Sequence, residues 1–271
     1  MPVLDTEAGP VWRRRTRGET LARWAAWLLG LAVFLLCWSR ISEATTWVFV
    51  WDAPAIAGDI LGRATPPRWS YIDNLWRPIW DTINIATLGT LAALAMAVPV
   101  AFLAARNTTP SAVFVRPVAL LVIVATRSIN ALIWALLLIA IIGPGVFAGI
   151  VAIAIRSVGF CAKLLYEAIE EIDRGQVEAV TATGASRWQV MAWAIVPQIA
   201  PAFAGIAVFR WDINIRESTV LGLVGAGGIG LQLQASLNTL AWPQVSLILL
   251  VILLAVVISE WVSAKVRGAI I

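Results

Sequence analysis

Residues 167–189 read EAIEEIDRGQVEAVTATGASRWQ, the longest polar stretch inside an otherwise apolar chain. It gathers Glu167, Glu170, Glu171, Asp173, Arg174, Glu178 and Arg187, and so many charges must sit in water. Apolar runs flank it, about Val146 to Tyr166 before and about Pro197 to Ile213 after, and they approach the length needed to cross a bilayer. The stretch carries its own punctuation. Asp173 and Gly175 interrupt the incoming helix, Gln176 to Thr183 can re-form one, Gly184 suits a left-handed stop, and Ser186 can cap a further helix from Arg187. The expectation is a compact helix-turn-helix, set against the plainer alternative of a solvated loop.

The whole chain agrees with a membrane setting. Of 271 residues 60% are hydrophobic and only 13% charged, about half of what a soluble domain carries. The mean hydropathy is +0.85 and there are 15 Trp, a residue that collects at membrane interfaces. Disordered, collagen-like and disulfide-scaffold classes are excluded, because Cys37 and Cys161 lie singly in apolar runs. With no His, most metal and general-base chemistry is missing, which argues against an enzyme.

Six runs are candidate spans: about 21–41, 82–105, 117–142, 146–166, 197–213 and 245–263. Arg13, Arg14, Arg15, Arg17 and Arg23 around the start of the first run place the N-terminus in the cytoplasm by the positive-inside rule. A cleaved signal peptide is the alternative for that run, with small residues near Ser42 and Ala44, but the run is long for a signal. The layout is then a cytoplasmic tail, 1–20, and a transmembrane domain, 21–271. Within that domain lie an outer interfacial segment, 42–80, the polar loop, 167–190, on the cytoplasmic side, and an outer Gly-rich segment, 222–230. Asp81 reads as the cap of the second span. Lys265 and Arg267 return the C-terminus to the cytoplasm, and Lys and Arg divide about 12 to about 4 between inner and outer segments.

Within the polar loop, Glu178-Ala179, Gly184 and Pro197 resemble the EAA loop of bacterial ABC-importer permeases, in which Glu-Ala-Ala is followed by Gly and, thirteen residues later, by Pro. Val180 stands where a third Ala is usual. The segments YEAIEEID (166–173), TGASR (183–187), NIREST (214–219) and VLGLVGAGGIGL (220–231) narrow the likeness to phosphonate-type ABC permeases. The resemblance implies an all-α integral membrane protein with six transmembrane helices and a cytoplasmic coupling helix, in the bacterial inner membrane. Glu178, Ala179, Gly184, Ala185, Ser186 and Pro197 would then dock on an ABC ATP-binding subunit present in two copies, which binds ATP and Mg; this chain would hold no cofactor. A second permease chain, identical or homologous, would complete the pore, and an extracytoplasmic phosphonate-type binding protein would deliver solute. Nucleic acid has no place in this reading.

Gly225, Gly227 and Gly230 satisfy G-x-G-x-x-G, but the next acid is Glu260, in a span, and a dinucleotide site needs a βαβ unit with an acid about 20 residues on. The Gly run, Gly228 included, instead suits a re-entrant turn at an outer gate, or else a flexible outer loop. Arg127, Arg156, Arg210 and Arg216 lie in or beside spans, where ionisable groups face a cavity or a partner. Asp212 and Arg216 are spaced to pair; the other three have no acid nearby in sequence. A cationic path favours an oxyanion held by the planar guanidinium fork, although each arginine could instead snorkel or brace a helix. A gradient-driven carrier would be expected to show more intramembrane acids than Glu260, and an embedded enzyme would need a nucleophile–base pair.

Overall fold

The computed structural model describes residues 3–6, 9–12 and 17–270; Arg13, Arg14 and Arg15 lie outside them. Two units divide near residue 62. In the first, β1 (Val3–Thr6) and β2 (Gly9–Trp12) pair as a short antiparallel hairpin, and every later element is helical, in line with the expected all-α membrane fold. The long helix α1 (Arg17–Ala44) follows. Trp38 packs between Phe34 and Trp47, and the Trp47 indole donates to Ser42, turning the chain into α2 (Trp47–Ala64). That helix lies within the segment 42–80. Pro54 lies inside the helix, and the Ala, Ile and Leu around it sustain helix.

The second unit contains α3 (Trp76–Ala104), α4 (Val115–Ser128), α5 (Ala131–Ile142), α6 (Val146–Glu170), α7 (Arg174–Ala182), α8 (Arg187–Val190), α9 (Val196–Gly222), α10 (Ile229–Asn238) and α11 (Trp242–Ile270). Helix α3 begins at Trp76, so Asp81 lies inside it rather than capping it; Pro78, with its φ preset, helps start the first turn. α3 packs chiefly along α6, and α9 crosses both. Close approach depends on small residues: a Cβ on Gly89 of α3 would lie 2.7 Å from Ile153 Cγ2 of α6, and one on Gly159 would lie 2.5 Å from the Ile123 carbonyl of α4. One buried cluster joins Ala97, Ala101, Ile123, Ala162 and Leu165, and another joins Ile85, Ala135, Ile153 and Leu221.

Five helices among the described residues are long and apolar enough to cross a membrane: Gly18–Ala44, Trp76–Ala104, Val146–Glu170, the 36-residue run Arg187–Gly222, and Trp242–Ala269. The expected third span is not one straight helix. It bends by 88° between α4 and α5, and makes a sixth crossing only if the bent pair counts as one. The cause is local: Asn130 accepts from the Leu132 amide and starts a new helix inside the apolar run. Gly143 and Gly145, both at positive φ, make the short turn expected between α5 and α6.

Candidate functional site

A charged, hydrogen-bonded cluster lies where α3, α6 and α9 meet. Arg210 and Glu217 are seven apart on α9, two turns along one face. Arg210 is 2% exposed; its Nε donates to Ser157 Oγ (2.9 Å), its Nη2 to Glu217 Oε2 (3.2 Å), and its guanidinium lies 5.2 Å from the Phe160 ring centroid. The other Glu217 oxygen accepts from Arg156 of α6. Ser157 donates in turn to Asn214 Oδ1 (3.3 Å), and Asn214 Nδ2 donates to Thr90 Oγ1 of α3 (2.8 Å). A buried arginine is tolerable only with such partners, and removing one partner of a buried pair costs about 3–5 kcal/mol.

A second acid on α9 repeats the pattern. Asp212 is buried; one oxygen accepts from Ser259 of α11 (2.8 Å) and the other from Arg216, so the pair permitted by the four-residue spacing is formed. Arg156 and Arg210 have no acid at the four-residue spacing, and Glu217 serves both. For Arg156 the partner is 61 residues away and invisible to local spacing. For Arg210 the seven-residue interval was legible, but only four-residue intervals suggested pairing. Glu260, the acid singled out from the sequence, is exposed on α11. Arg127 stands apart at the exposed last turn of α4, and makes no ion pair among the described residues.

The polar loop is a helix-turn-helix. Asp173 caps α7 by accepting from Gly175 N (2.8 Å), and Gly184 turns the chain at φ +80°. Ser186 and Gln189 form a reciprocal capping box at α8. Met191–Ile195 form a π turn that leads into α9, with Pro197 in its first turn, where a missing N–H is tolerated. Glu178, Ala179, Gly184, Ser186, Trp188 and Pro197 are exposed and Ala185 is half-buried. The base of α7 is fastened to the bundle: Gln198 Oε1 accepts from Asp173 N (2.9 Å), its Nε2 donates to Asp173 O (3.4 Å), and Glu170 accepts from Arg106 N (2.8 Å). Gln198 was not singled out in the sequence, and Glu170 only as one of the charges of the polar stretch.

The Gly-rich segment is packed rather than flexible. Gly225, Gly227 and Gly228 have φ of +98°, +84° and +74°. Thr82 of α3 accepts from Ile229 N (2.8 Å), Gly145 N donates to Gly225 O (3.0 Å), and Ala226 is fully buried. Gly222 and Gly230 meet without side chains, since a Cβ on Gly222 would lie 2.7 Å from Gly230 Cα.

Residues 97–267 match the family model for the binding-protein-dependent transport system inner membrane component. The chain belongs to that family. The permease is 39% identical to the phosphite transport system permease protein PtxC of Stutzerimonas stutzeri, across 97% of each chain. It is 36% identical to the phosphate-import permease protein PhnE of Mycolicibacterium smegmatis, over 83% of this chain and 42% of that one. An inward-facing structure of the MetNI methionine ABC transporter superposes with a TM-score of 0.64 at 20% identity, covering 75% of the permease and 99% of that chain, which shows a common fold. The permease is therefore a multi-pass membrane subunit of an ABC importer, a family that works with a partner ATPase and a binding protein.

Proposed function

We propose that the permease forms half of an inner-membrane pathway for a phosphorus oxyanion, such as phosphite or a phosphonate, and draws work from two ATP-binding subunits through α7 and α8. The observation that carries the solute class is the identity to a phosphite permease along nearly the whole chain. The charge of the α6–α9 cluster agrees with it: Arg156, Arg210 and Arg216 against Asp212 and Glu217 leave one positive charge in excess. In a low-dielectric span such an excess attracts a small anion. Arg127 adds a further exposed cation at the end of α4.

For coupling, the exposed surface of Glu178, Ala179, Gly184 and Ser186, with Ala185 half-buried between them, supports docking to a soluble ATPase, with ATP and Mg held there. In this reading the loop and both termini lie in the cytoplasm. A second permease chain completes the pathway, and Gly225, Gly227, Gly228 and Gly230 form the outer gate. Uptake by proteoliposomes containing the permease, its ATPase and its binding protein tests the reading. Phosphite, an alkylphosphonate or phosphate should stimulate ATP hydrolysis and enter the vesicles. Stimulation by methionine with none by these anions would overturn it.

A further inference from the structure

Both acids on α9 are held in the same way. Glu217 has an inner tether, Arg210, which is itself locked by Ser157 and Phe160, and an outer arginine, Arg156. Asp212 has an inner tether, Ser259, and an outer arginine, Arg216. The inner partners are 2% exposed, whereas the side chains of Arg156 and Arg216 are 28% and 50% exposed. Glu217 and Arg216 line one shallow open pocket with Phe209, Ile213 and Val220. A half-exposed arginine on a spanning helix does not face hydrocarbon, so this stripe of α9 faces a polar path.

We infer that Glu217 and Asp212 are built-in counter-ions that park Arg156 and Arg216, and that a phosphorus oxyanion in transit takes these two arginines from their carboxylates. This rests on the oxyanion reading above. The inner tethers keep each acid in place when its outer arginine leaves, Glu217 by the charge of Arg210 and Asp212 by the hydrogen bond from Ser259, so the exchange is reversible. The resting carboxylates also limit how tightly the anion is held, since a pathway lined with free guanidinium groups would bind its solute and not release it. Arg210 stays with Glu217 throughout and serves as a positioning residue.

The test uses the intact transporter purified with its ATPase and without binding protein, with labelled phosphite and phosphate as probes in equilibrium dialysis, and saturated uptake measured after reconstitution. E217Q frees Arg156, so affinity should rise about tenfold and saturated uptake should fall by a similar factor. R156Q removes one of the two donors, and affinity should fall about tenfold. The double variant restores the charge count and should lie nearer the wild type in both measurements than either single change. A purely bracing role predicts instead that E217Q leaves anion affinity unchanged and that the double variant is no better than the singles; that result overturns the inference. If E217Q does not assemble, R156Q decides, and unaltered affinity there is equally fatal. A wild type that transports oxyanions while the variants fail these tests removes only the counter-ion exchange, whereas a wild type that neither binds nor transports them removes the solute reading as well.

Discussion

Replacing Gly230 with Ala should destabilise the permease by about 3 kcal/mol, near the upper end of what an extra methyl costs in a packed interior. The new Cβ would stand 2.0 Å from the Thr219 carbonyl oxygen, 2.9 Å from Gly222 Cα and 3.0 Å from Leu223 N. Carbon and oxygen sit comfortably at about 3.3 Å or more, so α10 must retreat from the end of α9 by over an ångström. All three obstacles are backbone, and none can rotate aside. Retreat would also pull Ile229 N from Thr82. Gly225→Ala is the matched comparison: it has room, with its nearest neighbour 3.8 Å away, and suffers only the strain of φ +98°, about 1–2 kcal/mol. Unfolding of each purified variant by SDS in mixed micelles, followed by Trp fluorescence, gives the two energies. A Gly230→Ala protein within about 0.5 kcal/mol of wild type, or one hurt less than Gly225→Ala, would refute the close approach of α9 and α10.

Thr82→Val removes the acceptor for the buried Ile229 amide and should cost about 1–3 kcal/mol in the same titration; no loss would mean the Gly-rich turn is not held by α3. Glu178→Arg reverses a charge on the exposed face of α7, so membrane insertion should be normal while ATPase-driven uptake falls at least about tenfold, and normal uptake would contradict docking there. Gly184→Val places a β-branched residue at φ +80°, a strain of about 1–3 kcal/mol, and slower hydrogen exchange in α7 or α8 after this change would count against the left-handed turn.

The fold was largely legible because membrane helices announce themselves by length and apolarity. The loop was legible because Asp173, Gly184 and Ser186 are residue types with specific backbone duties, and each performs the one its type suggests. What failed to show had physical reasons. Asn130 looks like one polar residue in a long span, and only geometry reveals that it starts a helix at 88° to the previous one. Asp81 resembles a cap, yet Pro78 and the surrounding packing carry α3 past it. In the cluster, the arginines were found from their cost in a span and Asp212 from its four-residue spacing to Arg216, but Glu217 was not. Arg156 meets Glu217 only through the packing of α6 on α9, and Arg210 meets it two turns along one helix, where apolar periodicity is usually sought rather than charge.

The clip between Gln198 and the backbone of Asp173 has a mechanical consequence. It grips, at Gln198, a helical run, Arg187–Gly222, whose remaining stretch of about 24 residues extends about 36 Å. Tilting such a rod about that point by about 5° swings its far tip through about 3 Å, the rise of two residues. The tip ends against the Gly-rich turn, and Arg210, Asp212 and Glu217 ride on the outer half of the same rod. A small tilt about the clip is thus carried to the Gly-rich turn by one helix, α9.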